Sequence, residues 1–133
     1  MSLELSYLSA SAAWFFVMVL VQGFFSNREH GPRRLLGNRD AIIDQSAIVQ
    51  RAKRANQNMI EAMVMTAPLL AIVALADRSN GLTALGAQLF FFGRVAYAFA
   101  YWLGLGPIRT LVWLIGLAGT LLVFSQVAPF SGN

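Results

Sequence analysis

Residues 5–25, LSYLSASAAWFFVMVLVQGFF, form an apolar run of 21 residues without a single charge. At the helical rise per residue, a run of this length spans roughly 31 Å, close to the thickness of a bilayer's hydrocarbon core. It is too long for the apolar part of a signal peptide, and no basic stretch precedes it. It therefore reads as a permanent first membrane helix, with Glu4 at its outer end.

Three further stretches follow the same logic. Residues 62–76 are uncharged but too short to cross alone. They cross if the helix begins earlier and takes in Arg54, Asn58 and Glu61; Pro68 inside it is tolerated better in a membrane helix than in a soluble one. Residues 82–105 carry one charge, Arg94, near the middle, and Gly104-Leu105-Gly106-Pro107 then breaks the chain. Residues 110–130 are again 21 residues without a charge, with Arg109 at their mouth. Trp102 and Trp113 flank that last connection, where interfacial aromatics belong. The expectation is one all-α domain over residues 1–133, an integral membrane four-helix bundle with helices at about 5–25, 47–76, 82–105 and 108–130.

Composition excludes the soluble alternative. Of the 133 residues 57% are hydrophobic and 12% charged, and mean hydropathy is +0.60. A soluble domain carries about 25% charged residues, and a short chain cannot hide this much apolar surface from water. With no cysteine, disulfides, thiolate nucleophiles and thiolate metal sites are excluded. With one histidine, His30, a multi-histidine metal centre is excluded too, so no metal site is expected. His30 itself reads as a loop residue beside Gly31. No phosphate-binding glycine loop, serine elbow or internal repeat is present.

Charge sets the orientation. Seven of the ten basic residues (Arg28, Arg33, Arg34, Arg39, Arg51, Lys53 and Arg54) fall between positions 27 and 54. The second connection, at Asp77-Arg78-Ser79-Asn80-Gly81, carries one. The positive-inside rule then puts the first and third connections in the cytoplasm and both termini outside. The expected location is multi-pass in a membrane, a bacterial inner membrane. The net charge of +4 needs no nucleic-acid partner, since aromatic and basic residues do not interleave for base stacking.

Polar residues inside apolar spans are costly and usually mark function. Arg51, Arg54, Asn58 and Glu61 are spaced three, four and three apart, so they share one face of the second helix. Arg94, Tyr97 and Tyr101 share a face of the third, and Arg109 and Trp113 a face of the fourth. A bland reading exists for each: Glu61 and Arg94 could neutralise each other, and Arg51 and Arg54 could snorkel to lipid headgroups. The set as a whole suits a cavity for an amphipathic ligand. Arginine forks match carboxylates, and Glu61 matches an ammonium. Gly116 and Gly119 read as sites of close helix packing. Met59, Met63, Met65 and the Phe90-Phe91-Phe92 run read as packing or lipid-facing surface.

The string Arg54-Ala55-Asn56-Gln57-Asn58-Met59-Ile60-Glu61 resembles the Arg-Ala-x-x-Asn-x-x-Glu signature of the MAPEG family, the membrane-associated proteins in eicosanoid and glutathione metabolism. Arg51 precedes it at the family spacing. Arg94-Val95-Ala96-Tyr97 with Tyr101, and Gly106-Pro107-Ile108-Arg109-Thr110, are similar to the family's third helix and the start of its fourth. The likeness covers nearly the whole chain and is closest to bacterial-type members.

The resemblance implies a homotrimer of four-helix subunits with glutathione, as co-substrate, bound between neighbouring subunits at the cytoplasmic side. It assigns Arg51, Arg54, Asn58, Glu61, Arg94, Tyr97 and Tyr101 to glutathione binding. Arg109 matches the arginine that stabilises the glutathione thiolate. The activity implied is a glutathione transferase or peroxidase acting on hydrophobic electrophiles or lipid hydroperoxides, with membrane lipids and further copies of the chain as partners. The alternative is a non-catalytic lipid- or ligand-binding protein on the same scaffold. Gln57, where some members carry an arginine, and Trp113, where some carry a tyrosine, favour that alternative. A small drug exporter would need an acid within the first helix, and residues 5–25 contain none.

Overall fold

The computed structural model describes residues 1–31 and 46–129. Among the described residues, four helices make up the bundle in chain order: α1 Leu3–His30, α2 Ala47–Leu75, α3 Gly81–Trp102 and α4 Gly106–Val127. Each is long and apolar enough to cross a membrane. Arg33, Arg34 and Arg39 lie outside the described residues.

Each helix end has a local cause. Ser2 caps α1 by accepting a hydrogen bond from the Leu5 amide at 3.3 Å. The helix does not stop at residue 25, where the apolar run ends, but continues through Asn27, Arg28 and Glu29 to His30. His30 is therefore helical rather than part of a loop. The stop is Gly31, whose backbone at φ 82° leaves the helix. Ser46 caps α2 in the same way through the Val49 amide at 3.4 Å, and Pro68 sits inside that helix without ending it. Asn80 caps α3 with a reciprocal pair: its side chain accepts from the Thr83 amide, and the Thr83 hydroxyl accepts from the Asn80 amide. The third helix ends at Trp102 rather than residue 105, because Gly104 takes φ 70°. The fourth begins at Gly106 rather than residue 108, because Pro107 is harmless in a first helical turn, where its missing N–H has no partner to lose.

α3 and α4 approach each other most closely, backbone on backbone. A Cβ added at Gly119 would lie 2.5 Å from the Gly86 carbonyl oxygen, and one added at Gly93 would lie 2.8 Å from the Gly116 nitrogen. These glycines act as the close-packing sites that membrane helices use when lipid supplies no hydrophobic drive. α1 packs on α2 and α3, and α4 also packs on α2. Two apolar clusters fill the bundle: Met18, Ala55, Met59 and Ala98 towards one end, and Leu70, Val73, Ala87 and Val123 towards the other. The outside carries Phe16, Leu20, Phe24, Val64, Leu111, Leu114 and Leu121, all exposed. An apolar exterior over four apolar helices is what lipid as solvent requires.

Glu4, at the outer end of the first span, is buried. Its Oε1 accepts from the Ser79 hydroxyl at 2.7 Å and the Thr83 hydroxyl at 2.5 Å, so it ties the start of α1 to the start of α3. The bundle is level at this end. At the other it is not: α1 and α2 run 28 and 29 residues, α3 and α4 only 22 each. There the Glu29 carboxylate accepts from the Ser46 amide at 2.6 Å, which sets the end of α1 beside the start of α2.

Candidate functional site

The polar residues of α2, α3 and α4 meet at the end of the bundle where α3 finishes and α4 begins. Arg94 is the buried charge of the site, with 4% of its surface exposed. Its Nη1 donates to Asn58 Oδ1 at 2.5 Å. Its Cζ lies 5.3 Å from the Tyr97 ring centre and 5.8 Å from that of Phe90. Small Gly116 opposite makes room for it: a Cβ there would stand 3.3 Å from Arg94 Nε. That Nε has no hydrogen-bond partner, and among the described residues no carboxylate faces Arg94. The pairing with Glu61 weighed from spacing does not form. Glu61 is exposed and accepts from Gln57, on its own helix, at 3.3 Å.

Beyond Arg94 runs a chain of stacked groups. Tyr97 is buried, and its ring meets Tyr101 edge-on, 5.1 Å between centres at 83°. The Arg109 guanidinium lies over Tyr101, with Cζ 4.7 Å from the ring centre. Asn58, Tyr97, Tyr101, Arg109, Thr110 and Trp113 together line an open cavity of about 320 Å³. Among the described residues no acid lines it; Arg109 does, and Arg94 lies behind the lining residue Asn58. The start of α4 also has no side-chain cap, so its unpaired N–H groups and helix dipole add positive potential beside Arg109. A cavity so charged suits an anion.

The eight residues singled out by sequence thus fall in two groups. Asn58, Arg94, Tyr97, Tyr101 and Arg109 are brought together within one chain. Arg51, Arg54 and Glu61 do not line the cavity. Arg51 Nη2 donates to the Trp102 carbonyl at 3.4 Å across the end of α3, while Arg54 and Glu61 are exposed on the outer face of α2. Thr110 was missed as a lining residue; its place directly after Arg109 in the first turn of α4 was the available signal. Also missed was the contact of Asn56 with Gln22 on α1 at 2.6 Å, which faces away from the cavity.

A family model described as the MAPEG family matches residues 5–128, nearly the whole chain. No curated protein and no solved structure matches it.

Proposed function

We propose, from the premise that this chain belongs to the MAPEG family and is therefore an integral membrane protein, that it binds glutathione and acts as a glutathione transferase or peroxidase on hydrophobic electrophiles or lipid hydroperoxides. The family includes glutathione transferases and peroxidases among other members. The observation that carries the reading is Arg94, a guanidinium buried among apolar helices with an amide and, among the described residues, no carboxylate beside it. An uncompensated charge at such a place is expensive. A ligand carboxylate in the adjoining cavity would complete it.

Roles follow from position. Arg94, held by Asn58, receives a carboxylate of glutathione, and Tyr97 and Tyr101 form the wall beside it. Arg109, at the mouth of α4, faces the thiol: a nearby cation and a helix N-terminus both lower a thiol pKa, and the chain has no cysteine of its own. Arg109 then holds the sulfur as thiolate for attack on an electrophile arriving from the lipid. Arg51, Arg54 and Glu61 lie off the cavity of their own subunit, so they serve the site of a neighbouring copy. The working unit in this reading is the homotrimer that the family resemblance implies, with glutathione between subunits. The basic first connection supports an orientation with this end, and the ligand, on the cytoplasmic side and both termini outside.

Isothermal titration of the purified protein with glutathione tests the reading. Saturable binding is expected. Absence of heat at millimolar glutathione, with binding of a fatty acid or lysolipid instead, would replace it with the non-catalytic lipid-binding alternative.

A further inference from the structure

We infer that Tyr101 positions Arg109 through the face of its ring rather than through its hydroxyl; this rests on the reading of Arg109 as the thiolate-stabilising cation. Arg109 is long and rich in rotamers, so its charge is useful only if something fixes it. Among the described residues its side chain makes no hydrogen bond and no ion pair, and its close partner is the Tyr101 ring at 4.7 Å. A cation over an aromatic face is held by the ring's negative quadrupole. The contact through Cζ leaves the guanidinium N–H groups free to meet an anion.

The ring is itself held. Tyr97 abuts Tyr101 edge-on at 5.1 Å, Arg94 lies 5.3 Å from the Tyr97 ring centre, and Asn58 binds Arg94. A relay of contacts therefore runs from the buried arginine to the one at the mouth of α4, and Tyr101 is its last link. The charged and titratable groups facing Arg109 are few. Tyr97, Tyr101 and Arg94 come from α3, and α2 contributes neutral Asn58. Glu61 of α2 bonds Gln57 and does not line the cavity. Where Arg109 sits thus governs how strongly a thiol in the cavity is stabilised as thiolate. Because a phenyl ring has the same negative face as a phenol, the hydroxyl is dispensable for this task.

The test compares Tyr101→Leu and Tyr101→Phe in the full-length protein in detergent. Thiolate absorbance of added glutathione is followed against pH. With Leu the thiolate fraction at neutral pH should fall about tenfold, equivalent to a thiol pKa raised by about one. Phe should restore it to within about twofold of wild type, even if affinity drops. A ligand-free readout accompanies this: the Nε–Hε resonance of Arg109 in ¹⁵N-arginine-labelled protein, assigned by its loss in Arg109→Leu. It should be ring-current shifted in wild type and Tyr101→Phe, and unshifted in Tyr101→Leu. Phe behaving like Leu would overturn the inference, because the hydroxyl would be the operative group. So would an unshifted resonance in wild type, whatever the thiolate does. A shifted resonance that follows the ring, with no thiolate in wild type, would uphold the positioning and remove the functional reading instead.

Discussion

Replacing Gly119 with alanine adds one methyl group to the tightest contact in the bundle. Its Cβ would stand 2.5 Å from the Gly86 carbonyl oxygen, 2.6 Å from the Phe90 nitrogen and 3.0 Å from Leu89 Cβ. None of these is the free end of a flexible side chain, so the clash cannot be relieved by a rotamer. Bringing the closest contact from 2.5 Å out to the 3.4 Å of ordinary packing moves α4 from α3 by about 0.9 Å. Overpacking of this kind costs roughly 1–3 kcal/mol. The same shift moves Arg109, on α4, relative to Tyr97 and Tyr101, on α3. A misplacement of about 1 Å near a reacting centre can cost roughly 100-fold in rate. The melting midpoint in detergent, followed by circular dichroism, should fall by several degrees. Turnover with a generic aryl halide should drop by at least about tenfold, well within that limit. Gly23→Ala is the control, since nothing lies within 4 Å of its added Cβ; it should match wild type in both assays. If Gly119→Ala melts and turns over like wild type, the claim that backbone contact between α3 and α4 sets the site geometry is wrong.

Arg109→Leu should still bind glutathione, through Arg94 and its neighbours, but lose the thiolate absorbance and turnover; equal signals would reduce Arg109 to an interfacial anchor. Arg94→Leu should weaken glutathione binding by roughly 2 kcal/mol, about thirtyfold in Kd by titration calorimetry, because a charge-assisted contact is removed. Glu4→Ala removes the acceptor for Ser79 and Thr83 and should destabilise the bundle by roughly 2–3 kcal/mol without changing glutathione affinity; an unchanged melting curve would show the tie to be slack. Single cysteines at exposed Asn27 and Ala76 should label oppositely with an impermeant reagent in intact cells, Ala76→Cys from outside only; the reverse pattern would invert the orientation. Native mass spectrometry in mild detergent should give three copies, and a monomer throughout would contradict a site shared between subunits.

The four spans were legible because lipid imposes a composition over a length, and composition can be read without neighbours. The ends were less so. α1 continues to His30 because its last residues are helical in water, where apolarity no longer marks the helix, although Gly31 marked the stop. Glu4 was legible only as the outer end of the first span, since nothing in the chain links it to hydroxyls at positions 79 and 83. For the site, spacing grouped Arg94, Tyr97 and Tyr101 correctly on one face of α3. Spacing could not decide whether Asn58 or Glu61 meets Arg94. They are three residues apart on one helix face, and the axial register of α2 against α3 makes the choice. Nor could it show that Arg54 and Glu61 point off the bundle, because that depends on which side α1 takes.

The unequal helix lengths make bilayer thickness a variable for this protein. α3 and α4, with 22 residues each, extend about 33 Å, close to a hydrocarbon core of about 30 Å. α1 and α2, with 28 and 29 residues, exceed that by roughly 10 Å, all at one end. A lipid leaflet thickened by a few ångströms climbs along the long pair without forcing them to tilt, but it buries the ends of the short pair. Those ends carry Tyr101 and Arg109. Hydrophobic mismatch therefore acts on the mouth of the cavity before it acts on the rest of the bundle.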